Sequence, residues 1–498
     1  MTLQQDISTP PQAPATPAMK RRRVLISAIA VSPVRGSEAG IGWNIGSRVA
    51  KYHDVTLLCI PGTTYPHRKE IEAYFKEHGP IPGLEMLFVE ETPLYNFLDQ
   101  ATNKLLRPLY YFGYASWQRA AYRKAREIHE KKPFELTHHL NILGYREPGY
   151  LWKLPIPFFW GPVAGASNMP WSFFGMMGWR DRIAYGLRNI ANEIQKRLYP
   201  RPRKAARAAA HIWAIGEDNR RMFVDVFKVP AECLCEAGGK PQPQLASVKT
   251  YDPSKEPLRL VWAGVHLGRK AVPIVLHALA KIGNEFPVTF TALGSGPETQ
   301  NWHELARNLG VSDKVNWIAE LPHADALAEM SRAHVFTFPS LQEASSTVTL
   351  EALSLGLPVI CHDACGMGFI VNESCGAKIP MKSPQTSIDG FANALRRLHN
   401  NPELLTELSQ GALKRSQELS WDYAAEQIAR GYDRVLSPSP GTPGEGRGEG
   451  KTARSEDRAQ RAEETREESG SIPSSPLPPF PSSTQSPHLP LSQSTGRG

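Results

Sequence analysis

Long apolar runs are missing from this chain of 498 residues. No stretch approaches the ~20 consecutive apolar residues that a membrane-crossing helix needs. The opening MTLQQDISTPPQAPATPAMKRRR has no apolar core of the kind a secretory signal carries. Cysteine is scarce, at six residues: Cys59, Cys233, Cys235, Cys361, Cys365 and Cys375. They form no C-x-x-C pair and no set at zinc spacing. They therefore read as reduced, mostly buried thiols of a cytosolic protein. LGSGPE (293–298) lacks the third glycine of G-x-G-x-x-G, which leaves a dinucleotide-binding reading weak. The net charge is +8, yet no nucleic-acid-binding motif accompanies it, so no such partner is expected.

What is present points to two domains. The length exceeds what one hydrophobic core serves. Apolar runs such as RVLISAIAV, DVTLLCI, FELTHHL, IPFFWGPVAG and HIWAIGE suit buried parallel strands, with helix-like GIGWNIGSRVAKY and ASWQRAAYRKAREIHE between them. A second alternating set begins at LRLVWAG and continues through VTFTALG, VNWIAEL, HVFTFPS and PVICHD. The fold class expected is α/β, with two doubly wound Rossmann-like domains facing a central cleft. The boundaries predicted are a disordered N-terminus (1–22), an N-terminal domain (23–245) and a linker (246–257). A C-terminal domain (258–420), a closing helix returning to the first domain (421–436) and a low-complexity tail (437–498) complete the chain.

Ligands of open parallel sheets bind beyond the carboxyl ends of the strands. The stretch LQEASSTVTLEALSLGLPVI (341–360) occupies such a place. Glu343 follows the strand HVFTFPS, Ser345, Ser346 and Thr347 can cap the next helix, and Glu351 lies about one turn into it. The helix N-terminus offers free N–H groups to an anion such as a phosphate, and carboxylates beside it suit hydroxyl groups. By spacing alone, both glutamates also read as ordinary first-turn acids that complement the helix dipole.

The stretch PSLQEASSTVTLEALSLGLPVICHDACGMG resembles the E-x7-E signature of family 4 (group 1) retaining glycosyltransferases with the GT-B fold. RGSEAGIGWNIGSRVA, ELTHHLNILGYREPGYLWKLPIPFFWGPVAGA, WAGVHLGRKAVPIVLHAL and TALGSGPE resemble further segments of that family, in the same order. The resemblance covers most of residues 23–436. It implies that Glu343 contacts hydroxyls of a donor sugar and Glu351 the ribose of its nucleotide. Lys270 would neutralise the diphosphate, with the backbone of Thr347 and Val348 donating to it. Gly36, Ser37 and Gly40 would approach from the other domain, and His138 or His139 would line the sugar pocket. The donor, a nucleotide diphosphate sugar, is a substrate, and no cofactor is implied. The acceptor would offer a hydroxyl on a glycan, a lipid-linked sugar or a small molecule, as in polysaccharide biosynthesis.

The chain departs from the family pattern twice. Gly264 is followed by Val265 where the family has arginine, and Arg269 is the candidate substitute. Ala344-Ser345-Ser346 stands where G-F-G is common. These departures keep open a catalytically silent scaffold or glycan-binding module, beside a nucleotide-sugar epimerase of the same fold. D-x-D is absent, which argues for a metal-free reaction. Trp160, Trp171, Phe173 and Phe174 read as core, or as an acceptor platform. Residues 179–211 hold nine basic residues against Asp181 and Glu193, and Ile183, Leu187, Ile190, Ile194 and Leu198 recur at helical spacing. That segment suits an anionic membrane surface, which would make the protein peripheral at the inner face of the membrane. The same stripe could also pack on the protein's own core.

Overall fold

The computed structural model describes residues 19–62, 66–99 and 109–437, and residues 19–437 belong to one compact unit. The low-complexity tail and nearly all of the N-terminal segment lie outside the described residues.

Two parallel sheets organise it. The first holds β1 (Arg23–Ala28), β2 (Asp54–Cys59), β3 (Leu84–Phe88), β4 (Leu136–Asn141), β5 (Phe158–Val163), β6 (Ala209–Ala214) and β7 (Glu232–Cys233). Its strand order is β3-β2-β1-β4-β5-β6-β7. The second holds β8 (Leu258–Ala263), β9 (Val288–Leu293), β10 (Val315–Ile318), β11 (Val335–Phe338), β12 (Val359–His362) and β13 (Gly376–Ile379), in the order β10-β9-β8-β11-β12-β13. Every strand pair is parallel, for example Val24↔Val55 and Phe336↔Val359. Strands β4, β5, β11 and β12 are buried along their whole length, because helices cover both faces. The two doubly wound domains expected from the sequence are therefore present. In each sheet the chain order reverses beside the first strand, at β1/β4 and at β8/β11, the switch points where crevices form.

Five helices bear on the cleft and its surroundings: α1 (Ser37–Val49), α2 (Tyr110–Lys131), α3 (Trp179–Leu198), α4 (Thr347–Ser354) and α5 (Trp421–Leu436). The last of these packs on the first domain. Ala425, Ile428 and Tyr432 share a buried cluster with Val24, Ile26 and Ile45. Arg22, almost fully buried, holds Asp433 at 3.1 Å.

Helix α3 is turned inside out. Its polar residues Asn189 and Asn192 are buried. Asn189 donates to the Met169 carbonyl (2.7 Å) and accepts from the Met169 N–H (3.0 Å). Asn192 donates to the Ala166 carbonyl (2.9 Å) and accepts from the Tyr145 hydroxyl (2.9 Å) and Arg146 (2.6 Å). With the inner face satisfied by amides, the apolar stripe faces outward. Trp179, Ile183, Leu187, Ile190, Ile194 and Leu198 are between 52% and 75% exposed. The alternative that the stripe packs on the protein's own core is thereby corrected.

Candidate active site

A cleft of ≈ 960 Å³ opens between the switch points. The turn before α1 lines it with Arg35, Gly36, Ser37 and Gly40; α4 and the loop before it add Ala344, Ser345, Thr347 and Glu351. Ser37 adopts a positive φ of 55°, a left-handed conformation unusual for a side chain with a Cβ. A Cβ on Gly40 would lie 2.6 Å from the Arg35 carbonyl, so only glycine permits this tight turn.

Glu343 sits at the carboxyl end of β11 and is mostly buried. Its carboxylate accepts Lys270 Nζ at 2.6 Å and is also paired with Arg269. Arg269 donates in addition to the Gln342 carbonyl (2.9 Å). Burial lowers the Lys270 pKa, and the Glu343 carboxylate partly opposes that shift. One carboxylate therefore gathers two cations beside the first turn of α4. Inside α4 the first N–H groups accepted are those of Thr349 and Leu350, both by the Ser346 carbonyl. The N–H groups of Thr347 and Val348 precede that turn and have no helical acceptor. The Val348 side chain packs away on the C-terminal core. The Glu351 carboxylate accepts from His323 Nε2 at 2.9 Å.

Capping departs from expectation. Ser346 is the N-cap residue, but its side chain makes no cap bond. The Ser345 hydroxyl turns instead to Glu236, whose Oε1 also accepts the Ser345 N–H at 2.8 Å. Glu236 is buried in the cleft wall, and burial pushes its carboxyl up to about 7. No sequence signal marks it, since it stands alone in a Gly/Pro-rich stretch that reads as a connection. From the other side, Gly366 abuts the loop: a Cβ there would lie 2.0 Å from the Ala344 carbonyl. The polypeptide between Glu343 and Ser345 is thus held by a carboxylate on one side and a bare glycine on the other.

The histidines are a correction. His138 and His139 are fully buried and line no part of the cleft. They lie in the middle of β4, three and two residues short of its carboxyl end, so the strand's alternation sends them into the layers above and below the sheet. His138 donates through Nε2 to the Gly161 carbonyl (2.6 Å) and accepts the Tyr432 hydroxyl on Nδ1 (2.6 Å). Neither ring nitrogen of His139 has a hydrogen-bond partner. Burial depresses His138 to about 4 and His139 to about 3, which keeps both neutral. The strand-end residue that does act near the cleft is Asn141, which donates to the carbonyl of Glu38 at 2.9 Å.

Of the aromatic candidates, Trp160 and Phe173 are buried, while Trp171 is exposed and lies tilted against Phe174 at 4.7 Å. Helix α3 meets the loops that carry Arg269 and Glu343 from this side. Arg188 donates to the Gln342 side chain at 2.6 Å, and Asp181 Oδ2 lies 2.9 Å from where a Gly268 Cβ would stand.

Residues 248–415, which hold Arg269, Lys270, Glu343 and Glu351, match the family model of glycosyl transferases group 1. This segment is similar to the group 1 glycosyl transferases. A D-inositol 3-phosphate glycosyltransferase from Streptomyces bingchenggensis is 33% identical over 187 residues, 34% of this chain and 40% of that relative. The chain thus spans well under two thirds of the length of the curated relatives it matches. Among solved structures, a sucrose-phosphate synthase from Thermosynechococcus elongatus aligns with a TM-score of 0.51 at 15% identity, over 84% of this chain and all of that one. Anabaena HepE in complex with UDP aligns with 0.51 at 14%, over 83% of this chain and all of that one. At such identities the likeness is one of fold, the GT-B arrangement of two Rossmann-like domains. The matched segment contains the second sheet, and the turn before α1 is supplied by the first.

Proposed function

We propose that this protein is a retaining glycosyltransferase. It moves a sugar from a nucleotide diphosphate sugar to a hydroxyl of a glycan, a lipid-linked sugar or a small molecule, without a metal ion. The observation that carries the reading is the pairing of the Glu343 carboxylate with Lys270 at 2.6 Å, just before α4, the helix whose Glu351 lines the cleft. Departure of the nucleotide diphosphate is the hard step, and fixed cations aimed at it are the strongest lever on such a transition state. Lys270, Arg269 and the free N–H groups of Thr347 and Val348 are those fixed groups. Glu343, held between two cations, meets the sugar hydroxyls near the reacting carbon, and Glu351 meets the ribose. Ser37, Gly36 and Gly40 close on the diphosphate from the first domain. Arg269 takes the part of the arginine that Val265 replaces, a reading supported by its reach to Glu343. Synthesis of a polysaccharide, by a cytoplasmic protein held peripherally at the inner face of a membrane, is the setting of this reading.

Thermal stabilisation by a panel of nucleotide diphosphate sugars tests it, beginning with UDP-sugars because HepE was solved with UDP. A true donor raises the unfolding temperature by mass action. Slow hydrolysis of that donor is expected as well. A panel in which no nucleotide sugar binds would sink the proposal.

A further inference from the structure

The outward stripe of α3 is unexplained by glycosyl transfer. It runs Trp179, Ile183, Leu187, Ile190, Ile194, Leu198, at steps of four, four, three, four and four residues. Twenty helical residues span roughly 30 Å, so this is one straight apolar ridge. A monomeric protein rarely leaves such a ridge in water.

Its flanks carry one sign of charge. Arg180 and Arg197 are exposed beside it on α3, and Lys204 and Arg207 on the helix Pro200–Ala208 beyond it. One of the two acids of α3 is ion-paired and the other is turned from the ridge. Glu193 is paired with Lys196 (2.7 Å) and Arg197 (2.5 Å), and Asp181 points to the turn at Gly268. Arg180 lies over the Trp179 ring at 5.3 Å, an amphipathic pair at one end of the ridge. A second copy of this chain fits the ridge poorly, because it would bring basic flank against basic flank. An anionic phospholipid surface satisfies both features, taking the apolar ridge among its acyl chains and the arginines among its headgroups.

We propose that α3 docks the protein on an anionic phospholipid bilayer, its apolar ridge buried in the interfacial layer and its opposite edge against the loops that carry Arg269 and Glu343. The inference rests on the glycosyltransferase reading and deepens it by naming the surface on which that cleft works. Asp181 and Arg188 put the same helix against the Gly268 turn and Gln342, next to Arg269 and Glu343, so docking sets that ion pair on the membrane side of the protein.

The full chain is sedimented with phosphatidylcholine vesicles, with and without phosphatidylglycerol, at low and high salt. Pelleting is expected with the anionic vesicles, falling as salt screens the arginines. The double variant Leu187→Glu, Ile190→Glu, at exposed positions, should keep the wild-type unfolding transition and lose vesicle affinity by on the order of tenfold or more. Brominated lipids should quench a fluorescence component that disappears in Trp179→Phe. Absence of pelleting with anionic vesicles, equal pelleting with neutral ones, or pelleting that survives the double variant would overturn the proposal. A double variant that unfolds would do the same, by showing the ridge to be packed. None of these readouts uses a sugar donor. Failure here therefore leaves the transferase reading standing, and failure of donor binding leaves this one standing.

Discussion

At the scale of single residues, two glutamates of one signature take different surroundings. Glu343 is clasped by Lys270 and Arg269, whereas Glu351 lines the cleft beside His323. Glu351→Gln should weaken nucleotide binding, and Glu343→Gln should lower turnover with nucleotide affinity largely kept. Each loses a charge-assisted contact of about 1.5–3 kcal/mol. Calorimetry with nucleotide and initial-rate kinetics separate the two, and unchanged nucleotide affinity in the Glu351 variant would refute its assignment. Glu236 gives a prediction with a sign. Its carboxyl ordinarily titrates near 4.5 and is raised to about 7 in the fold. Below the lower value both states hold the proton. Between the two values the unfolded chain ionises first, so stability falls as pH rises, by on the order of 3 kcal/mol in all. Glu236→Gln should abolish that slope. Urea unfolding of both proteins at pH 5 and pH 8 checks it, because the depressed histidines titrate alike in both and cancel in the difference. A stability gap that does not grow toward pH 8 would show that Glu236 is not held protonated.

At the scale of elements, what was legible in the sequence is what burial writes into composition. The central parallel strands read as continuous apolar runs because helices cover both their faces. By contrast, β3 (LEMLF) is only half buried, β7 is two residues long and β13 (GAKI) contains a glycine, so none carries that signal. Glu351 and the glycine turn, which line the cleft, were legible through motif and strand-end placement. Glu236 was not, because a lone charge in a Gly/Pro-rich stretch has no pattern, and the histidines misled because a sequence does not reveal where a strand stops. Helix α3 showed its stripe in the sequence but not which way it faces. That was decided by Asn189 and Asn192, whose buried partners are distant in the chain. Helix α5 is stitched to β4 by one hydroxyl. Tyr432→Phe should strand the Nδ1 of His138 without a donor and cost about 1–3 kcal/mol. Chemical denaturation measures this, and a change below a few tenths of a kcal/mol would mean the bond contributes nothing net.

At the scale of the whole molecule, charge on the leaving group is to be met by protein cations and helix amides instead of an ion. Turnover should therefore persist in EDTA. Loss of activity on chelation, restored by magnesium or manganese, would refute the metal-free part of the proposal. The last helix carries a further consequence, for synthesis. The first sheet is finished at Cys233, yet α5, which covers α1 and supplies the phenol for His138, begins at Trp421. The ribosome must therefore make the 187 residues between them before the first domain is complete. At ordinary translation rates that is a wait of roughly ten to forty seconds. Through it, a nascent half-protein displays the apolar groove where Ile428 and Tyr432 will lie, and what shields that groove governs the yield of native protein.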